Sequence, residues 1–148
     1  MEITWNIKHF DKLSPYELYA ILQLRSAVFV VEQNCVFQDM DDKDQACHHL
    51  MGFANGRLIA VTRLVPPGIS YPQPSVGRVA TASIARGLGL GRSLMQQSIQ
   101  AIEALYGIQP IRIGAQLYLK QFYESLGFVQ TSDIYDEDGI DHIEMTRP

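Results

Sequence analysis

Hydrophobic residues recur at helical spacing near the start of the chain. Ser14 is a predicted N-cap with Pro15 in the first turn, and apolar positions then continue on one face through residues 18–29. Arg25 interrupts this face, which indicates a paired arginine or one near a binding cleft.

Two more stretches have helical periodicity. Residues 117–128 place Leu119, Phe122 and Leu126 on one side of a short predicted helix that ends at Gly127. The longer stretch ends at Gly107, and its apolar face consists of Leu94, Met95, Ile99, Ile102 and Leu105.

Five strands are predicted between and after these helices. Residues 48–65 form a predicted hairpin, because Asn55-Gly56 is a strong two-residue turn signal. Residues 75–83, 111–115 and 142–148 have strand composition, and the proline-rich residues 65–74 form a predicted surface loop. The order predicts a mixed α/β (α+β) fold with a mostly antiparallel start and a β-α-β unit in its second half.

Composition narrows the class of protein. The 148 residues, 47% of them hydrophobic, suggest one domain spanning residues 1–148. A net charge of −4 argues against a general nucleic-acid binder. Two cysteines, no leader pattern and no long apolar run favour a cytoplasmic protein with reduced thiols and no membrane contact.

The stretch "RGLGLGRS", residues 86–93, places three glycines where a helix begins. Unpaired N–H groups at a helix N-terminus favour a phosphate, and glycines let the phosphate approach the backbone. The run lacks the spacing of a P-loop (G-x-x-x-x-G-K-[ST]) and of the dinucleotide motif (G-x-G-x-x-G). A phosphate or pyrophosphate site is therefore predicted, and tight packing of the helix on a sheet is the alternative.

These residues resemble the GNAT superfamily, the Gcn5-related N-acetyltransferases. "RGLGLG" matches the family's R/Q-x-x-G-x-G/A motif, and residues 115–128 are similar to its N-x-x-A-x-x-F-Y-x-x-x-G-F segment, with Gln116 and Leu119 in place of Asn and Ala. Residues 24–44 and 135–145 look like the ElaA-type branch of small bacterial acyltransferases. The resemblance implies a GNAT fold, a central mixed, mostly antiparallel splayed sheet flanked by helices.

The resemblance also implies acetyl-coenzyme A as cosubstrate. Val79, Ala80 and Thr81 would pair through their backbone with the pantetheine arm, and Gln116 is a candidate hydrogen-bond partner of the same arm. The pyrophosphate would bind the loop formed by Arg86, Gly87, Leu88, Gly89, Leu90, Gly91 and Arg92.

Tyr123 matches the family tyrosine near the coenzyme sulfur, and its implied role is to protonate the leaving thiolate; a core tyrosine is the alternative. The base that removes the amine proton has four candidates: Glu32, His48, His49 and Glu144. Of these four, Glu32 is the predicted catalytic residue, and the alternative is a surface acid at the end of a helix. Alternation sends the two histidines to opposite faces of a strand, and His142 is a further residue near the tyrosine helix.

The acidic run "DMDDKD", residues 39–44, does not match an EF-hand, because Lys43 and Asp44 stand at ligand and glycine positions. It predicts a solvated loop or an acidic rim that attracts a cationic amine. Cys35 and Cys47 lack zinc-site spacing, so no metal is expected.

We therefore expect an enzyme that moves an acetyl group from acetyl-coenzyme A to a small-molecule or peptide amine by direct attack. A non-catalytic module that senses acyl-coenzyme A is one alternative. The other is an acyltransferase like the acyl-homoserine-lactone synthases, whose "RxxVF" start residues 25–29 resemble. An exposed sheet edge would allow a homodimer.

Overall fold

The computed structural model describes residues 2–148 as two four-stranded sheets with three α-helices. The first sheet has the order β1-β2-β3-β4, and the second has the order β5-β8-β6, with β7 also paired to β8. The strands are β1 Thr4–His9, β2 His48–Ala54, β3 Arg57–Val65, β4 Ser75–Thr81, β5 Ile111–Gln116, β6 Val129–Gln130, β7 Tyr135–Glu137 and β8 Ile140–Arg147. The helices are α1 Pro15–Arg25, α2 Leu90–Tyr106 and α3 Lys120–Glu124.

Helix α1 begins as its sequence predicts. Ser14 accepts a hydrogen bond from the Glu17 N–H, and the Glu17 carboxylate accepts one from the Ser14 N–H, which completes a capping box. The helix then widens into a π-helical segment, Ser26–Glu32, which shifts the residues that follow relative to a regular α-helix. The C-terminal end of this segment lies at the candidate active site.

Helix α2 packs against β3 and β4 of the first sheet. Its buried face includes Leu94, Met95 and Ile102, none of which has exposed surface, as the predicted periodicity requires. The helix ends at Gly107, where a φ of 87° favours glycine. Leu105, predicted on the buried face, is 38% exposed because it lies in the last turn.

The two sheets are joined where β4 and β5 begin. The Arg112 N–H donates to the Pro74 carbonyl at 3.1 Å, and beyond this bond residues 2–148 show no ladder pairing between β4 and β5. The strands therefore diverge toward Thr81 and Gln116. This is the splayed mixed sheet that the resemblance to the GNAT superfamily implied.

Three strands were missing from the prediction. β1 lies at an edge of the first sheet, so its residues are only partly buried and its alternation is weak. β6 and β7 have two and three residues, too few for a periodic signal. The hairpin at Asn55-Gly56 is present, and both turn residues have positive φ.

The expectation of a solvated acidic run was wrong for Asp39 and Asp44, which are 9% and 6% exposed. Buried carboxylates need cationic partners, and three arginines from different elements supply them. Arg25 bonds Asp39 and Asp44 at 2.9 and 2.8 Å, Arg63 bonds Asp41 and Asp44 at 2.7 and 3.1 Å, and Arg78 bonds Asp39 at 2.8 Å. We call these six residues the arginine–aspartate cluster. The cluster accounts for the burial of Arg25, which is 1% exposed, and holds residues 39–44 against β3 and β4.

Candidate active site

The glycine loop between β4 and α2 has the backbone conformation that its sequence suggested. Gly87 and Gly89 have φ of 83° and 72°, and an added Cβ at either would meet no atom within 4 Å. Gly89 is the N-cap of α2 and offers no side-chain acceptor, so the first-turn N–H groups have no partner among residues 2–148. Open space and free donors therefore coincide at this helix end.

A groove of about 480 Å³ lies against this helix end. Its walls come from the end of β4, the glycine loop and α3, and its lining residues are Thr81, Arg86, Gly87, Gly89, Leu90, Gly91, Arg92, Phe122 and Ser125. Most of the residues predicted to bind the coenzyme thus line one groove. Leu90 is 5% exposed, so it can meet a ligand through its backbone, whereas Leu88 is 62% exposed.

Both arginines of the loop point toward this region. Arg92 donates to the Ser125 hydroxyl at 3.3 Å, which links the start of α2 to the end of α3. Arg86 donates to the Thr81 carbonyl at 2.9 Å and forms an ion pair with Glu32. Two guanidinium groups beside free N–H donors make the groove suited to a pyrophosphate.

β4 carries an irregularity next to the gap between the sheets. Its register with β3 shifts between Val61 and Arg63, and Arg78 has a φ of 49°. Positive φ is uncommon for a residue other than glycine, and such bulges turn backbone groups away from the ladder. Val79, Ala80 and Thr81 follow directly, so the predicted pantetheine-pairing residues lie on the strand edge that β5 leaves unpaired.

Glu32 and Gln33 close the open end of this gap. Glu32 reaches Arg86 on the β4 side, while the Gln33 amide meets the Gln116 amide on the β5 side at 3.4 Å. The last residue of the π-helical segment and the residue after it therefore contact the glycine loop that follows β4 and the end of β5. Gln33 was missed from the sequence, because nothing in its neighbours distinguishes it from a solvated glutamine.

Tyr123 is buried, at 6% exposed. Its ring packs edge-on to Phe122 and Phe128, with centroids 5.1 and 5.9 Å away. Burial, helped by Tyr118, raises the pKa of Tyr123 to about 12. Its hydroxyl bonds no residue between 2 and 148 but is not sealed from solvent, so it remains free for a ligand.

The other base candidates have partners. His49 is 1% exposed and its Nε2 lies 3.0 Å from the Asp44 carbonyl, so it supports the arginine–aspartate cluster. His48 points to the opposite face and contacts Tyr106. Glu144 is bonded to Arg112. Glu32 is also paired, yet it alone of the four contacts the glycine loop.

Comparison with known proteins identifies the family of this chain. The family model described as an acetyltransferase (GNAT) domain matches residues 16–147. The chain belongs to the GNAT acetyltransferase family. Among its GNAT relatives, Protein ElaA of Escherichia coli strain K12 is 40% identical over 147 residues, spanning 98% of this chain and 96% of that protein.

Solved structures place the chain in the ElaA-like part of the family. The crystal structure of an acyl-CoA N-acyltransferase from Pseudomonas aeruginosa matches 99% of this chain and all of that chain, with 44% identity and a TM-score of 0.95. The structure of Escherichia coli ElaA matches with 38% identity, a TM-score of 0.93 and the same coverage. The acyl-homoserine-lactone synthase LasI, at 14% identity and a TM-score of 0.73, shares the fold.

Two further features of the described residues bear on the expected partners. No helix within residues 2–148 is long and apolar enough to cross a bilayer. Over the same residues, no three His, Cys, Asp or Glu side chains converge as a metal site would require.

Proposed function

We propose that this GNAT protein transfers an acetyl group from acetyl-coenzyme A to a primary amine by direct attack. The observation that carries the proposal is the groove at the glycine loop, which opens beside the unpaired edge of β4. An anion-binding helix end next to a free strand edge suits a ligand with a pyrophosphate at one end and an amide-bearing arm at the other.

The donor would bind along these two features. The coenzyme pyrophosphate accepts hydrogen bonds from the first-turn N–H groups of α2, with Arg86 and Arg92 adding charge. The pantetheine amides pair with the edge of β4 at residues 79–81, and Gln116 supports the arm from β5. The thioester then lies where the strands diverge.

The chemistry follows from that placement. The neutral amine attacks the thioester carbonyl, a C–N bond forms, and backbone N–H groups near the β4 bulge stabilise the developing oxyanion. The C–S bond then breaks. Glu32, directly or through water, accepts the proton lost by the amine, and the Tyr123 hydroxyl donates toward the thiolate. The products are an amide and coenzyme A: the leaving thiolate accepts a hydrogen bond from Tyr123 and takes its proton from solvent, and Glu32 returns the proton of the amine to solvent.

The pairing of Glu32 with Arg86 belongs to this scheme. A carboxylate bonded to a guanidinium has fewer free lone pairs. When the coenzyme pyrophosphate offers Arg86 another anionic partner, Glu32 is released toward the gap. Donor binding would in this way prepare the base.

A thiol-release assay tests the proposal. The protein is incubated with acetyl-coenzyme A and a panel of primary amines, and free thiol and acetylated amine are measured together. Amine-dependent release with matching amide formation supports it. Coenzyme binding without release across the panel would instead favour a sensor, and turnover only with long acyl donors would favour a synthase-type acyltransferase.

A further inference from the structure

The face of β5 that points away from α2 carries an accessible glycine. Ile111, Ile113 and Ala115 are buried, so alternation sends Arg112, Gly114 and Gln116 to the other face. Gly114 is exposed although side chains surround it. It lies two residues, about 7 Å, from Gln116 at the gap between the strands.

Two tyrosine hydroxyls converge on Gly114. An ideal Cβ there would lie 3.1 Å from the Tyr135 hydroxyl and 3.3 Å from the Tyr71 hydroxyl. Neither hydroxyl bonds any of residues 2–148, and neither is shut off from solvent. One small ligand group above Gly114 could therefore meet both.

Both rings are held in place by their neighbours. The Arg112 guanidinium lies over the Tyr71 ring, 4.8 Å from its centroid, and is itself bonded to Glu144. The Tyr135 ring stacks on His142, with centroids 5.8 Å apart. The Nδ1 of His142 lies 2.7 Å from the Ile140 carbonyl. The hydroxyl pair is therefore preorganised by the second sheet and the proline-rich loop.

The charge around the hydroxyls is negative. The charges of Arg112 and Glu144 neutralise each other. The carboxylate of Glu137, whose Oε2 lies 3.2 Å from His142 Nε2, then leaves an excess of negative charge. The segment from 133 to 144 holds six acids and no lysine or arginine. Burial and these carboxylates raise the pKa of Tyr71, although Arg112 opposes them. Burial, Tyr71 and the same carboxylates raise the pKa of Tyr135 to about 12. Both hydroxyls therefore stay neutral and can accept hydrogen bonds from a cation.

We infer that Tyr71, Tyr135 and Gly114 form the acceptor-specificity site, and that it holds the distal ammonium of a short alkyl diamine. This inference rests on the proposed acetyl transfer and names its acceptor class. The neutral amine of the diamine attacks at the gap beside Gln116. The alkyl chain runs along β5, and the second, charged amine donates to the two hydroxyls over Gly114.

Three acceptors with four carbon atoms each test the inference: putrescine, n-butylamine and γ-aminobutyrate, which end in an ammonium, a methyl group and a carboxylate. We expect kcat/KM for putrescine to exceed that for n-butylamine by about tenfold or more, the range of a hydrogen bond to a charged group. The double variant Tyr71→Phe, Tyr135→Phe should lose this advantage through KM for the amine, with KM for acetyl-coenzyme A unchanged.

Two further variants sharpen the result. Gly114→Ala places a methyl group against both hydroxyls, so it should raise KM for putrescine more than for n-butylamine. Tyr106→Phe removes a hydroxyl that contacts His48, away from this site, and should leave all three amines unaffected.

The outcomes separate the two proposals. Equal kcat/KM for the three amines, or a preference for γ-aminobutyrate, overturns the acceptor site while acetyl transfer stands. If no amine is acetylated, the proposed function fails, and calorimetric titration of putrescine into the coenzyme A-bound protein decides the site by itself. Binding that weakens in the double tyrosine variant supports it, and absent or unchanged binding overturns it.

Discussion

Removal of a single oxygen atom tests the role of Tyr123. Tyr123→Phe keeps the ring that packs on Phe122 and Phe128 and deletes a hydroxyl that bonds no residue between 2 and 148. The substitution therefore costs the fold almost nothing, and the thermal midpoint should stay within about 2 °C of the original protein. Any effect on the reaction then reports on the hydroxyl.

The pKa of the phenol sets the size of that effect. Burial raises the pKa of Tyr123 to about 12, whereas an ordinary thiol has a pKa near 8.5. Complete proton transfer to a thiolate is then uphill by roughly 3.5 pKa units, or about 5 kcal/mol. Donation of a hydrogen bond to the developing thiolate is favourable, and bonds to charged groups contribute about 1.5–3 kcal/mol. We therefore expect kcat to fall roughly 10- to 100-fold.

Steady-state assays with saturating amine measure kcat and KM for acetyl-coenzyme A in both proteins. KM should change less than about twofold, because the hydroxyl acts on charge that appears only as the C–S bond breaks. The original protein should also show no loss of kcat from tyrosine ionisation below about pH 11, since the phenol stays protonated up to its raised pKa.

A Tyr123→Phe variant with unchanged kcat would remove this residue from the chemistry. A fall in kcat larger than about 10⁴-fold would refute the hydrogen-bonding argument in another way, because it exceeds what general acid catalysis contributes.

Three other substitutions test the glycine loop, the proton acceptor and the arginine–aspartate cluster. Gly89→Ala should weaken coenzyme A binding about tenfold or more by calorimetry, because the added Cβ enters the proposed phosphate position. Gly56→Ala is the matched control, since Gly56 has a similar φ of 76° and open surroundings in a distant turn. This control variant should bind coenzyme A as the original protein does. Glu32→Gln should lower kcat roughly 100-fold without weakening coenzyme A binding, and unchanged kcat would leave the residue an ion-pair partner only. Burial acts to raise the pKa of Asp41, but hydrogen bonds from Arg63 outweigh burial and lower the pKa to about 2. The Asp41 carboxylate therefore stabilises the fold above pH 3.8, and this stabilisation is lost as the pH falls toward 2. Asp41→Asn should therefore cost about 2 kcal/mol at neutral pH in urea unfolding and flatten the acid dependence, and an equally steep loss in the variant would contradict this.

The sequence predicted the features that depend on local backbone chemistry. The alternating glycines of residues 86–93 indicated a phosphate site, and the structure gives positive φ to Gly87 and Gly89 and free donors beside them. The capped start of α1 and the hairpin turn at Asn55-Gly56 followed for the same reason, since each needs only a few adjacent residues.

Features that depend on distant pairing could not be predicted. The run at residues 39–44 looks solvated in sequence, and only folding brings Arg25 and Arg63 onto it. Gly114 is likewise an ordinary strand glycine until the loop carrying Tyr71 and the hairpin carrying Tyr135 close over it. The residues in these contacts lie far apart along the chain, and hydrophobic periodicity gives no information on which distant residues pair.

The diverging strands also bear on how the two proposed substrates would bind. The glycine-loop groove lies at the start of α2 and the end of α3, whereas Gly114 lies on the exposed face of β5, outside the residues that line the groove. Under the proposed acetyl transfer, donor and acceptor would therefore enter from different sides, so that both could be bound at once. A covalent carrier is then unnecessary, which agrees with the state of both thiols: Cys35 donates to the Asp138 carbonyl, and burial raises the pKa of Cys47 to about 11. Under the proposed function, the acetyl group would pass directly from donor to acceptor between the diverging strands, and neither cysteine would carry it.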